Sequence, residues 1–510
     1  MPSNSENNKR IAKNTLLLYG RLILTMAIGL FTSRVILNTL GISDYGINNV
    51  VGGFVSMFSL FTGSLGAAIS RFLTFALGQH DQERLNKIFS TSVTIMMMMS
   101  VFIILLAEAF GMWFLNTKLN IPHDRMAAAH WVFHMSVIAF AIDLISVPYN
   151  ATIIAHEKMD AFAYISILEV SLKLAIVYLL YVSPFDKLIT YSVLFAIVAA
   201  IIRLVYGMYC KHHFKECHYH FVFDKSLLKQ MGGFAGWNLF GSGAYLFNTQ
   251  GVNIITNIYF GVTANAARGV ANQVEGIVKQ FVTNFTTAIN PQIIKSYATH
   301  DMPYMYSLVC RGAKFSYLLM LLFVVPFMFE TETIMRLWLK VYPSEAPLFL
   351  RLSMIGTMFD MLGNSTANAA WATGNIKKYY MYVATIGCLV FPISLFLFAL
   401  GFPAYTSYIV FLVIYMIVMF VKVYIIKGLI GFSPSMFYRD VLLRILPTTF
   451  VSFILPGVLY FSMSKSLLRT GIVILASGIS TVASIYFIGL TKNEQRKSVQ
   501  LVLKKLKRNG

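Results

Sequence analysis

RVILNTLGISDYGINNVVGGF fills residues 34–54. An apolar run ends in LGISDYG, and the chain turns apolar again directly after it. Gly41 and Gly46 permit a tight turn, and Ser43 or Asp44 is suited to cap the helix that follows. The stretch therefore predicts a hairpin between two apolar helices, and it sets how the remaining segments are counted. Arg34 lies about 9 Å short of the turn at 1.5 Å per residue, close enough for its long side chain to reach a membrane–water boundary.

The chain has 510 residues, 57% of them hydrophobic and 12% charged, with a mean hydropathy of +0.67. Soluble domains carry about 25% charged residues. Most segments are apolar on all sides, the pattern of helices solvated by lipid. Strand-period alternation is absent, which excludes a membrane β-barrel. A span needs about 20 apolar residues, and this length has space for roughly 12–15 of them. The expected fold is an all-α integral membrane protein of about fourteen transmembrane helices. They cover 11–40, 45–77, 91–115, 127–154, 161–182, 188–210, 231–260, 263–294, 312–329, 347–373, 379–400, 404–430, 441–463 and 466–490.

The net charge of +20 is topological. Lys9, Arg10, Lys13, Arg84, Lys87, Lys158, Lys211, Lys295, Lys377, Lys427 and the terminal lysines fall in loops on one side. The other side collects Lys118, Arg125, Lys187, Arg336, Lys340, Lys465 and Arg469. An excess of Lys and Arg marks the inside, so both termini are expected inside and no nucleic acid is implied. The polar start MPSNSENNKR lacks the features of a signal peptide, so the first span is expected to stay. Cys210, Cys217, Cys310 and Cys388 are expected as free thiols. CKHHFKECHYH, 210–220, has metal-ligand residues at a spacing that fits no closed zinc site.

The chain also repeats itself. A shift of 220 places LGISDYG at Leu40 on FGVTANA at Phe260, His80 on His300 and Asp81 on Asp301. A shift of 217 places Ile142–Lys158 on Phe359–Asn375. The organisation read from this is a six-helix lobe over 1–225, a second over 226–432, two extra helices over 433–491 and a basic tail over 492–510. Parallel repeats of this kind place a pathway at the lobe interface. The tail sets Val499, Val502, Leu503 and Leu506 on one helical face, as suits a helix lying on an anionic inner leaflet.

Ionisable groups inside spans cost a few kcal/mol and usually face a cavity or a partner. They are Arg21, Arg34, Glu108, Asp143, Glu169, Lys173, Arg203, Arg268, Glu275, Lys279 and Asp360. Glu169 with Lys173, and Glu275 with Lys279, are i,i+4 pairs in the favourable order and are expected to neutralise each other. Arg21 has no partner one turn away. Arg268 falls on Asn48 in the repeat, so the two lobes differ chemically. Asp143 and Asp360 align across the lobes as lone carboxylates. Gly232, Gly233, Gly236, Gly241 and Gly243 suit either bending or close helix packing.

The pattern R-x5-LG-x2-DYG from Arg34 to Gly46, the two lobes and the final helix pair resemble the polysaccharide transporters of the multidrug/oligosaccharidyl-lipid/polysaccharide (MOP) exporter superfamily. Its O-antigen and capsule flippases are called Wzx, and it includes the lipid II flippase and the MATE drug exporters. The resemblance covers essentially the whole chain. It implies a bacterial inner-membrane flippase that moves an undecaprenyl-diphosphate-linked oligosaccharide to the outer leaflet by alternating access. It implies association with a polysaccharide polymerase; no cofactor is expected, and the lone carboxylates Asp143 and Asp360 suit H+ or Na+ as coupling ion.

A lipid pyrophosphate needs persistent cationic donors, which arginine supplies. Arg21 is the foremost candidate, with Arg34, Arg268, Lys173 and Lys279 along a cationic pathway. Asp143, Asp360, Glu169 and Glu275 are candidates for the coupling ion or a polar pathway. Two other readings stay open. A MATE-type antiporter of cationic drugs would favour acidic and aromatic cavity groups over an unpaired Arg21. A membrane polymerase or glycosyltransferase would need a substantial outside loop, whereas 116–126 and 330–346 are short. No nucleophile–base constellation or phosphate loop is evident, so the chain is not expected to be an enzyme.

Overall fold

A computed structural model describes residues 4–56, 58–117, 121–222, 224–339 and 342–496. Every regular element among them is helical, because within lipid each backbone N–H and C=O must find its partner inside its own segment. Two compact units result, one drawn from Met1–Ser242 with Ile294–Asp301, the other from Gly243–Ile293 with Met302–Gly510. The first holds α1 (Asn4–Ser56), α2 (Ser59–Gly78), α3 (Gln82–Leu106), α4 (Met112–Thr117), α5 (Met126–Ala155), α6 (Met159–Val182), α7 (Lys187–His213) and the two ends of α8 (Lys225–Ala298). The second holds the middle of α8, α9 (Met302–Leu339), α10 (Ala346–Leu362), α11 (Asn364–Thr373), α12 (Lys377–Cys388), α13 (Val390–Ala399), α14 (Thr406–Ile430), α15 (Pro434–Phe437), α16 (Leu443–Ser462) and α17 (Leu467–Ser484).

Ten segments among the described residues are long and apolar enough to cross a membrane. The first arm of α1, both arms of α8, and α10 with α11 bring the number to about fourteen. The protein is a multi-pass membrane protein. Phe450 and Phe461 are 74% and 83% exposed; in water such rings would be a liability, and in a bilayer they face lipid.

The hairpin around LGISDYG is visible in what α1 touches. Helical hydrogen bonding runs through all 53 residues of α1, which as a straight rod would measure about 80 Å. Asn14 donates to the Glu157 carbonyl at 3.2 Å, just beyond the end of α5. Asp44 meets Arg125, at the opposite end of α5. Ile47, Val51 and Val55 then pack back along α5 among Ala128, Val132 and Val137. The chain thus climbs α5, reverses at the elbow and descends. Helix α8 does the same at Gly261, the repeat partner of Gly41, whose φ of 76° and ψ of −172° break its 74 residues into two arms.

Asp44 also answers why the apolar chain stops for a charge. Its carboxylate accepts from Arg125 Nε at 2.9 Å and Nη2 at 2.5 Å, and Arg125 Nη1 reaches Asp186 at 2.5 Å. Asp186 in turn caps α7, accepting from the Leu188 and Ile189 amides. Burial opposes ionisation of Asp186, but the Arg125 and amide hydrogen bonds outweigh it and hold the carboxyl below its ordinary range.

The repeat reappears as identical turns. After α2, the amides of residues 79, 80 and 81 bond to the carbonyls of 75, 77 and 76, with His80 left-handed at φ 57°. After α8, residues 299, 300 and 301 bond to 295, 297 and 296, with His300 at φ 58°. Both are Schellman-type stops. The α5–α6 turn has the same form, with Glu157 at φ 60°, where the other unit uses Gly374 at φ 76°. Glu157 is held there by ion pairs: its fully buried carboxylate meets Arg10 at 2.8 Å and Lys295 at 2.7 Å.

One sequence expectation needs correction. The sequence places an outside stretch over 330–346 and counts Arg469 among the outside charges, although the span read over 466–490 contains it. Helix α9 instead kinks at Glu330 (φ −111°, ψ 23°) and stays helical to Leu339, and α17 begins at Leu467. Glu330 and Arg469 are buried and paired at 2.9 Å, with Thr470 donating to the same carboxylate at 2.9 Å. Two charges that satisfy each other can stay inside a helical bundle. Lys118, Lys340 and 497–510, including the amphipathic tail, lie outside the described residues.

Candidate functional site

In the first unit, α1, α5 and α7 enclose a cavity of about 250 Å³. Asn48, Ser136, Asp143, Tyr191 and Ser192 are its polar lining. Among the described residues Asp143 makes no hydrogen bond or ion pair, and it is exposed to this space. Lys173 lies over Phe195, a wall of the same cavity, at 5.0 Å and pairs with Glu169 at 2.6 Å. Arg21 stacks on Phe162 at 4.4 Å, with Glu169 and Tyr206 acting on its charge. Its Nε and Nη1 are buried without a hydrogen-bond partner among the described residues. Four of the residues singled out from sequence, Arg21, Asp143, Glu169 and Lys173, therefore gather in one place. The side chain of Arg34 lies outside the described residues. Nearby, Arg203 stacks on Tyr149 at 3.9 Å, and Glu108 pairs with His134 at 2.9 Å.

In the second unit, the corresponding space is nearly filled. A polar cavity of about 40 Å³ lies among Tyr245, Asn248, Arg268, Asn272, Glu275, Ser353, Ser407 and Tyr408. Arg268 donates to Asn253 at 2.5 Å and to Ser407 at 3.3 Å, with its guanidinium 5.0 Å from the Tyr408 ring. The expected pairing of Glu275 with Lys279 does not form. Lys279 meets Asp360 at 2.9 Å instead, while Glu275 accepts from Thr357 at 2.7 Å. Nor is Asp360 a lone carboxylate: Lys422 of α14 also reaches it, at 3.4 Å. A buried carboxylate on a neighbouring helix competes better than an i,i+4 partner, whose pairing on an isolated helix contributes only about 0.2–0.5 kcal/mol. Lys422 was missed because it sits near the end of a span and its partner lies 62 residues away.

The two cavities occupy matching positions. Shifted by 220, Asn48, Gly52 and Val55 become Arg268, Asn272 and Glu275; shifted by 217, Ser136 and Tyr191 become Ser353 and Tyr408, while Asp143 becomes Asp360, which does not line the second cavity. In the first arm of α8, Gly251 serves close packing, since a Cβ there would lie 2.7 Å from the Phe391 ring, but four other glycines do not. A Cβ built on Gly232, Gly233, Gly236 or Gly243 would meet no atom within 4 Å, and Gly232 and Gly236 line an apolar groove of about 420 Å³. Among the described residues, no three His, Cys, Asp or Glu side chains are set to hold a metal ion, and the four cysteines are free.

Known proteins agree with this architecture. A MATE crystal structure in the bent conformation matches with a TM-score of 0.73 at 13% identity, covering 84% of this chain and 99% of that one. An outward-facing multidrug resistance MATE family transporter of the MOP superfamily matches at 0.69 and 12% identity, covering 83% and 97%. A MATE transporter of Vibrio cholerae matches at 0.67 and 16% identity, covering 84% and 98%. An uncharacterized membrane protein EpsK of Bacillus subtilis (strain 168) is 20% identical over 308 residues, 59% of this chain and 59% of that protein. Residues 11–296, more than half of the chain, match the family of polysaccharide biosynthesis proteins. The chain belongs to that family, and it shares the fold of the MATE transporters.

Proposed function

We propose that the protein is a flippase for undecaprenyl-diphosphate-linked oligosaccharide repeat units, moving them from the cytoplasmic to the outer leaflet by alternating access for surface polysaccharide assembly. No bond of the substrate changes, so the protein is not an enzyme. It sits in the bacterial inner membrane with both termini cytoplasmic, its tail on the anionic leaflet and a polysaccharide polymerase as neighbour. The observation that carries the reading is Arg21. A guanidinium in a membrane helix costs about 2.5–3.5 kcal/mol even on insertion scales, and two of its nitrogens are buried without partners. Diphosphate oxygens are the acceptors such a group fits. Arg34, Arg268, Lys173 and Lys279 extend the cationic route, and Asp143, with Glu169 beside it, supplies the carboxylate for a coupling H+ or Na+.

The test is flipping of a lipid-diphosphate oligosaccharide in liposomes holding the purified chain, beside Arg21→Ala and Arg21→Lys. Loss with Ala and partial return with Lys supports the reading, and unchanged flipping with Ala removes Arg21 from the site. A second reading, a cation-coupled drug antiporter, is favoured by Asp143, which faces a cavity and makes no hydrogen bond or ion pair among the described residues. It is supported instead if small organic cations are exported and no lipid-linked sugar moves.

A further inference from the structure

The second unit holds two ammonium groups on one carboxylate. Lys279 Nζ reaches Asp360 Oδ2 at 2.9 Å and Tyr245 at 3.3 Å, and Lys422 Nζ reaches Asp360 Oδ1 at 3.4 Å. Lys422 is 7% exposed at its side chain and Asp360 12%, whereas Lys279 is 27% exposed. The cluster is thus buried on one side and open through Lys279 on the other. Two cations meet one carboxylate directly, and Glu275 acts on the charges of Lys279 and Asp360 from alongside.

The arrangement is made room for. Lys422 crosses the α10–α11 junction at Gly363, where an added Cβ would lie 2.5 Å from its Cδ and 2.6 Å from its Nζ. None of this exists in the first unit, where Ser59 and Val205 stand at the matching positions of Lys279 and Lys422. Two lysines converging on two oxygens of one anionic group, with a third N–H on each ammonium to spare, is the donor geometry a phosphate takes.

We infer that Lys279 and Lys422 form a diphosphate-binding subsite and that Asp360 is its tethered stand-in, a built-in anion that occupies the lysines until a diphosphate displaces it. Asp360 then weakens ground-state binding and lets the substrate leave. This role differs from carrying a coupling ion, for which the two lysines leave Asp360 no spare charge. The inference rests on the flippase reading for its substrate class, but its test does not.

The purified full-length chain in detergent is titrated calorimetrically with farnesyl diphosphate, with inorganic pyrophosphate and with phosphatidylglycerol. Asp360→Asn is expected to tighten binding of both diphosphates roughly tenfold, and Lys279→Gln or Lys422→Gln to weaken it by a similar factor, the scale of one charged hydrogen bond. Asp360→Asn removes the carboxylate that both lysines meet, so the pair Asp360→Asn with Lys422→Met, which keeps the cluster's net charge, is measured too. It should bind more tightly than Lys422→Met alone. Unchanged or weaker binding in the Asp360 variants, no diphosphate binding by any variant, or a gain confined to phosphatidylglycerol overturns the inference. Flipping by the wild-type chain is scored separately, so a failed subsite with active flipping leaves the transporter reading intact, and the reverse result leaves the subsite.

Discussion

The cavity of the first unit and its counterpart in the second share matching positions of the repeat and hold opposite contents. The first is about 250 Å³ and open, with a carboxylate, Asp143, that has no partner among the described residues. The second is about 40 Å³ and its lining carboxylate, Glu275, accepts from Thr357, while Asp360, the repeat partner of Asp143, carries two lysines. Backbone geometry at the ends of α2 and α8 did not impose the difference, since those two turns match residue for residue. Side chains did: Asn48, Val55, Ser59 and Val205 against Arg268, Glu275, Lys279 and Lys422. A duplicated scaffold has kept its folding instructions and divided its electrostatics.

The sharpest way to break this contrast is to neutralise the two aspartates. Asp360→Asn strands two lysines and is expected to cost about 3 kcal/mol, in the range for breaking a buried ion pair. Asp143→Asn removes no ion pair and should cost less than about 0.5 kcal/mol. Thermal or denaturant unfolding in detergent reads both, and equal losses would mean that Asp143 is held as firmly as Asp360.

The α5–α6 turn gives the next contrast. Glu157→Gly relieves a left-handed backbone but leaves Arg10 and Lys295 without their carboxylate, for an expected net loss of about 2 kcal/mol. Gly374→Ala, in the matching turn, loses only the backbone freedom and should cost about 1 kcal/mol. A stabilised Glu157→Gly protein would show that the ion pairs there contribute little. Gly363→Ala should come close behind, at about 1–2 kcal/mol, because the new methyl displaces Lys422. Its distinguishing sign is that Lys422→Ala in the same background restores part of the loss.

The smallest effect concerns pH. Burial opposes ionisation of Glu216 in the loop after α7, but its hydrogen bonds from His156 and Gln82 outweigh this and lower its pKa. A depressed carboxyl stabilises the fold above its unfolded value of about 4.3 and loses that contribution as pH falls through the folded value. Glu216→Gln should therefore remove roughly 1 kcal/mol near neutrality and flatten the acid limb of the stability profile. The second unit has Ser433 at the matching position, so an unchanged acid limb would place the sensitive carboxylate elsewhere.

Much of the fold could be read from hydropathy, since lipid admits only segments that satisfy their own backbone. The count of about fourteen spans, the elbow at LGISDYG and the shifts of 220 and 217 all reappear in the helices and turns. The sites were legible as residues but less so as partnerships. Glu169 did pair with Lys173 as helix spacing foretold. Glu275 and Lys279, at the same spacing, each chose a neighbour from another helix, because α10 brings Thr357 and Asp360 alongside them. Glu330 and Arg469 misled for a related reason. A charge lowers hydropathy whether it ends in water or in a buried pair, and only the fold distinguishes the two.

That last pair has a consequence for biogenesis. Arg469 follows Glu330 by 139 residues, which at typical synthesis rates is on the order of ten seconds. Through that interval the kink of α9 has entered the membrane with its carboxylate held only by local donors such as Thr333. Helix α17 therefore completes this pair electrically. A nascent chain that stalls before α17 emerges carries an uncompensated charge, a ready mark for quality control to recognise.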